Sequence, residues 1–164
     1  MNKSDIKAVI FDLDGTLIDT ERIYRIAWPK AVAEMGYSME DEDYLSMRSL
    51  GRPFALKKLQ AMYGEDFDYE KAKEIRNGIF NKILTAEGIQ KKPGAIELLS
   101  YLKERGYIVA IATATDPIRA NKYVSDAGFA DYIDKVISAY MVPEGKPSPL
   151  VYQYACETLG LSPE

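Results

Sequence analysis

Ala8-Val9-Ile10-Phe11-Asp12-Leu13-Asp14-Gly15-Thr16-Leu17 is a short apolar run that ends on two carboxylates at i and i+2, followed by a glycine. Lys7–Asp12 reads as a strand, apolar almost throughout, as expected for one buried on both faces of a parallel sheet. Side chains alternate along a strand, so Asp12 and Asp14 leave its end on related sides. Gly15 lets the chain turn sharply and bring backbone N–H groups close to a ligand. That layout suits one carboxylate that attacks and a second that moves protons, both near a divalent cation. A charged, solvated turn after a buried strand would also produce an isolated Asp-x-Asp, but the whole ordered pattern favours the chemical reading.

Outward from this strand, the pattern changes period. Thr20–Met35 reads as a helix, with Pro29 inside it expected to kink or break it. Glu40–Ser46, Pro53–Tyr63 and Tyr69–Ala86 read as three more helices, the last with Ile75, Ile79 and Ile83 at helical spacing. A helix then runs from Lys92-Pro93-Gly94 to Arg105, a strand over Tyr107–Ala112, a helix from Asp116-Pro117 to about Ala127, a strand over Lys135–Ser138 and a helix over Pro149–Leu159. One strand, a four-helix insert and then alternating helix and strand predict an α/β fold: a Rossmann-like parallel sheet with an inserted α-helical cap. Residues 1–18 and 89–164 form the core and 19–88 the cap, with the linkers Ile18–Thr20 and Gly88–Pro93 as its hinge.

The 164 residues are 47% hydrophobic and 28% charged, enough for one core and a small appended domain. A net charge of -4 without a basic stripe gives no reason to expect nucleic acid. The apolar run after the polar Met1 to Asp5 is too short for a signal peptide or a membrane span. Cys156 is alone, which excludes an intrachain disulfide and fits a reducing cytoplasm. There is no histidine, so any mechanism needing a histidine base or ligand from this chain is excluded.

Ligands of open α/β sheets sit beyond the carboxyl ends of the strands. The second strand ends in Thr113-Ala114-Thr115. Thr113 with the N–H of Ala114 suits a phosphoryl oxygen near the start of the next helix, whereas Thr115 suits simple helix capping. After the third strand comes Gly145-Lys146-Pro147-Ser148-Pro149, where Lys146 is either an ordinary solvated lysine or a charge for a phosphate and the attacking carboxylate.

Together these stretches resemble the haloacid dehalogenase superfamily of phosphohydrolases, nearest its β-phosphoglucomutase-like branch with a helical cap. Asp12-Leu13-Asp14-Gly15-Thr16 is similar to the family's first motif, Thr113 to its second and Gly145-Lys146-Pro147-Ser148-Pro149 to its third, departing at Leu150, where the family usually has Asp. The resemblance implies a Mg²⁺-dependent phosphatase of small phosphorylated metabolites, sugar phosphates first among them. On that reading Asp12 is the nucleophile that forms an aspartyl-phosphate, and Asp14 is the acid and base. Thr113, Ala114 and Lys146 hold the phosphoryl oxygens, with Gly15 and Thr16 lining the phosphate. The Asp12 carboxylate and the Asp14 backbone carbonyl take Mg²⁺. Arg52, after Gly51 in a cap loop, is placed to grip a substrate anion or is an exposed loop arginine. Tyr24 stands where the branch's isomerases carry a histidine, which counts against the alternative of a phosphoglucomutase-type isomerase; packing against Trp28 is the expected use of its ring.

The family also has a fourth, acidic motif on a further strand beside strand one, and no Gly-Asp or Glu-Asp follows the third motif here. The expectation is therefore a truncated core that binds Mg²⁺ poorly and turns over slowly, or a site completed by a partner. It also leaves strand one with an apolar edge open to self-association. A catalytically inactive binding or assembly module is the remaining alternative.

Overall fold

Three parallel strands in the order β1-β2-β3 carry the site: β1 (Ala8–Phe11), β2 (Ile108–Thr113) and β3 (Lys135–Ser138). The computed structural model describes residues 6–48, 50 and 52–162, without the side chain of Arg52. The helices are α1 (Thr20–Glu34), α2 (Asp41–Met47), α3 (Arg52–Tyr63), α4 (Tyr69–Glu87), α5 (Ala95–Glu104), α6 (Pro117–Asp126) and α7 (Leu150–Thr158). None of the described helices is long and apolar enough to cross a membrane.

Register does the positioning. Phe11 pairs with Ile111 and Thr113 with Ser138, so the three strands end nearly level and their next residues share one rim. The central strand β2 is buried from Val109 to Thr113. Strand β1, expected to be buried on both faces, is only half-buried at each of its four residues. The reason is its place in the order: among the described residues it pairs on one side alone. Ala110 and Ala112 present small side chains, which lets α7 lay Val151 and Ala155 against them and Ile137. Asp116 caps α6, its Oδ1 accepting the Arg119 N–H at 3.0 Å, with Pro117 in the first turn where no N–H is required.

The chain divides into two units, Met1–Asp19 with Ile89–Glu164, and Thr20–Gly88. Asp19 thus falls with the sheet rather than with the helices, because the two crossings between units pair with each other. The Asp19 N–H donates to Gln90 O at 2.8 Å, the Lys92 N–H to Leu17 O at 2.9 Å, and Lys92 Nζ to Asp19 Oδ1 at 2.8 Å.

The helical unit has its own core, including Trp28, Val32, Tyr44, Leu59, Phe67 and Ala72. Helix α1 runs on through Pro29 without a break. Helix α4 buries Tyr69, Ala72 and Phe80, while Ile75, Ile79 and Ile83, expected as its packing stripe, are half-buried. Tyr24 packs as expected but on another ring: it stacks on Phe80 at 4.5 Å between centroids and shares the Arg76 guanidinium with Trp28.

Candidate active site at the strand ends

Asp12 follows directly on β1, and its Oδ1 accepts from Lys146 Nζ at 2.7 Å. The same ammonium donates to Ala112 O at 2.8 Å and lies 5.2 Å from the centre of the Tyr152 ring. A long, flexible lysine is thereby fixed by a charge, a carbonyl and an aromatic face. The Gly-Lys-Pro-Ser-Pro segment delivers it from beyond β3, and a Cβ at Gly145 would come within 3.2 Å of Ala139 Cβ, which favours glycine there.

Leu13 turns into the core, fully buried, and leaves Asp12 and Asp14 to flank it as half-buried groups. Asp14 Oδ2 accepts two hydroxyls from the end of β2, Thr115 Oγ1 at 2.7 Å and Thr113 Oγ1 at 3.2 Å. Thr113 Oγ1 in turn accepts the Thr115 N–H at 3.1 Å, and buried Ser138 at the end of β3 donates its hydroxyl to Thr115 O at 2.7 Å. Asp12, Asp14, Thr113 and Lys146 are therefore gathered by the sheet unit alone, from three strand ends separated by up to 134 positions in the chain.

Ala114 is exposed beside Thr113. Gly15 has φ 78°, the left-handed turn that its lack of Cβ allows. The N–H groups expected to face a ligand are instead spent on that turn, Gly15 N donating to Ile18 O at 2.8 Å and Thr16 N to Leu13 O at 3.3 Å. The tight turn that carries Asp14 consumes those donors. Arg52 begins α3 in the helical unit; its side chain and Gly51 lie outside the described residues.

Sequence reasoning assigned Thr115 only a possible cap and gave Ser138 and Tyr152 no role. The spacing of Thr113 and Thr115 was a usable signal, since residues i and i+2 of an extended segment share a face. The pairing of β3 with β2, which brings Ser138 to Thr115, has no local signature.

Asp12 and Asp14 offer hard oxygen donors of the kind Mg²⁺ takes, one or two carboxylates with water and substrate phosphate filling the rest. Among the described residues no cluster of three or more His, Cys, Asp or Glu forms a fuller metal cage. The donor set fits Mg²⁺ in chemical type, with few protein ligands.

Fold and site define an α/β protein whose polar groups converge at the carboxyl ends of a parallel sheet. The chain belongs to the haloacid dehalogenase-like hydrolases, matching that family over residues 6–164, on the β-phosphoglucomutase-like branch. It is 32% identical to protein CbbY of Rhodobacter capsulatus, over 97% of this chain and 74% of that protein. It is 26% identical to the phosphorylated carbohydrates phosphatase of Thermotoga maritima, over 97% of this chain and 73% of that protein. The fold is shared with β-phosphoglucomutase from Clostridium difficile, at TM-score 0.76, 22% identity, and 95% and 72% of the two chains.

Proposed function

We propose that this chain is a Mg²⁺-dependent phosphatase of phosphorylated carbohydrates that works through an aspartyl-phosphate on Asp12. The observation that carries the reading is Lys146 Nζ, held 2.7 Å from Asp12 Oδ1 and 2.8 Å from Ala112 O at the rim of the sheet. A cation there offsets the charge of the nucleophile and of the phosphoryl group it must approach. Asp12 attacks phosphorus in line, and the bond to the ester oxygen breaks as Asp14 gives that oxygen a proton. Asp14 then takes a proton from water, the water oxygen bonds to phosphorus, and Asp12 leaves as carboxylate. Thr113 and the Ala114 N–H orient the phosphoryl oxygens throughout. Mg²⁺, when bound by the Asp12 carboxylate and the Asp14 carbonyl, neutralises charge on the transferring group.

The substrate class is supported by the Thermotoga maritima relative, whose name is phosphorylated carbohydrates phosphatase. Hydrolysis is preferred over isomerisation because Tyr24 stands where the branch's isomerases carry a histidine and the chain has no histidine. A cytoplasmic setting is proposed on the lone thiol of Cys156. Self-association is proposed through the edge of β1, which pairs on one side only among the described residues.

The test is release of phosphate from an aryl phosphate with Mg²⁺, wild type beside Asp12→Asn. Release by the wild type with a loss of about 10³-fold or more in the variant is the expected result. Equal release by both overturns the aspartyl-phosphate route. Silence in both favours the inactive binding module.

A further inference from the structure

Asp14 is held by more hydroxyl groups than helix capping or phosphate binding accounts for. Thr115 Oγ1 donates to Asp14 Oδ2 at 2.7 Å, and Thr113 Oγ1 donates to the same oxygen at 3.2 Å. Capping does not explain Thr115, because Asp116 already caps α6 through the Arg119 N–H. The Thr115 main chain is pinned on both sides: its N–H donates to Thr113 Oγ1 at 3.1 Å and its carbonyl accepts from Ser138 Oγ at 2.7 Å. Ser138 is itself fully buried and accepts the Tyr140 N–H at 3.2 Å. Ser138, at the end of β3, thus holds the main chain of Thr115, whose hydroxyl in turn holds the carboxylate after β1.

A hydroxyl carries one proton and can donate it once. Thr113, which the proposed mechanism assigns to a phosphoryl oxygen, cannot at that moment also donate to Asp14. Of the two threonine bonds, the one from Thr115 then remains. We propose that Thr115 is a positioning residue that keeps a hydroxyl on Asp14 Oδ2 once a phosphoryl group draws the Thr113 hydroxyl away, with Ser138 fixing Thr115 in turn. This rests on the phosphatase reading for its kinetic consequence, and on phosphate binding at Thr113 for its structural one.

The test pairs Thr115→Val, which keeps the shape and removes the donor, with Thr115→Ser, which keeps the donor. On an aryl phosphate with Mg²⁺, Thr115→Val is expected to lower kcat about 10- to 100-fold with KM within about twofold, a share of what general acid–base catalysis contributes. Thr115→Ser is expected to stay within about threefold of wild type. Crystal structures of Thr115→Val without and with inorganic phosphate give the second readout. Asp14 is expected to stay on Thr113 without phosphate and to lose that hydroxyl when phosphate is bound. An unchanged kcat in Thr115→Val, equal losses in both variants, or an Asp14 still bonded to Thr113 with phosphate bound would overturn the proposal. If the wild type releases no phosphate, or Asp12→Asn equals it, the phosphatase reading fails instead, and the pair of crystal structures still decides the role of Thr115.

Discussion

Lys146 shows how much of this site depends on one charge. Its ammonium touches Asp12 and the Ala112 carbonyl, and the Tyr152 ring covers it. Lys146→Met keeps the length of the side chain and removes the charge. It is expected to lower kcat/KM by about 10²–10³, the usual cost of losing a group aimed at developing charge. Steady-state kinetics on an aryl phosphate check this, and a thermal melt should show the fold intact. Arginine is not a substitute, since its planar fork cannot place one compact charge against both oxygens. Removing Mg²⁺ with a chelator is expected to stop phosphate release, and adding Mg²⁺ back to restore it; with few protein ligands, restoration should need millimolar rather than micromolar metal. Asp12 was legible in the sequence because it sits in a short local pattern that a strand end explains, whereas Lys146 stood out only through the resemblance of Gly145-Lys146-Pro147 to a family motif. The engagement of Thr115 with Asp14 was not legible, because it joins positions 101 apart and exists only once β1 and β2 are in register.

At the level of elements, α5, β2 and the start of β3 meet at Asp134. Burial alone would raise its carboxyl. The Lys103 ammonium at 2.6 Å, the Val109 N–H at 2.8 Å and the Lys103 charge outweigh this and hold it below its ordinary value of 3.8. Folding therefore favours the ionised form. The stability it adds is complete above the unfolded value and is lost as pH falls through the lower folded value. Asp134→Asn is expected to lower Tm at pH 7, by a few degrees at most since both partners are partly exposed, and the gap to wild type should close below about pH 3.8. In the helical unit, Phe80→Ala empties a fully buried site beside Tyr24 and is expected to cost about 3–5 kcal/mol, read by denaturant unfolding. The α-helices and strands were legible to within about three residues because caps and glycines mark their ends, whereas the short 3-10 turns Ala130–Tyr132 and Ala139–Met141 were not read. The face that α4 buries was not, because apolar residues lie on more than one of its sides and only its partners decide among them. The half-burial of β1 was equally hidden, since strand order is not a local property.

For the whole molecule, the self-association proposed above rests on the edge of β1, which pairs on one side only among the described residues. Ile6, two residues before β1, is 43% exposed. Sedimentation at rising concentration is expected to show growing association, and Ile6→Lys to suppress it, because a charge beside an edge strand opposes pairing with another chain. A single sedimentation coefficient for the wild type across that range would refute edge pairing.

The paired crossings at Leu17–Asp19 and Gln90–Lys92 have a meaning for ancestry and engineering. Sixty-nine residues leave the sheet unit and return to it through two segments hydrogen-bonded side by side. To the sheet unit, Thr20–Gly88 is topologically no more than the loop of a hairpin. Such a loop can be shortened to a turn or exchanged for a different excursion without rethreading any strand. Changes within Thr20–Gly88 thereby leave Asp12, Asp14, Thr113 and Lys146 where the sheet unit holds them.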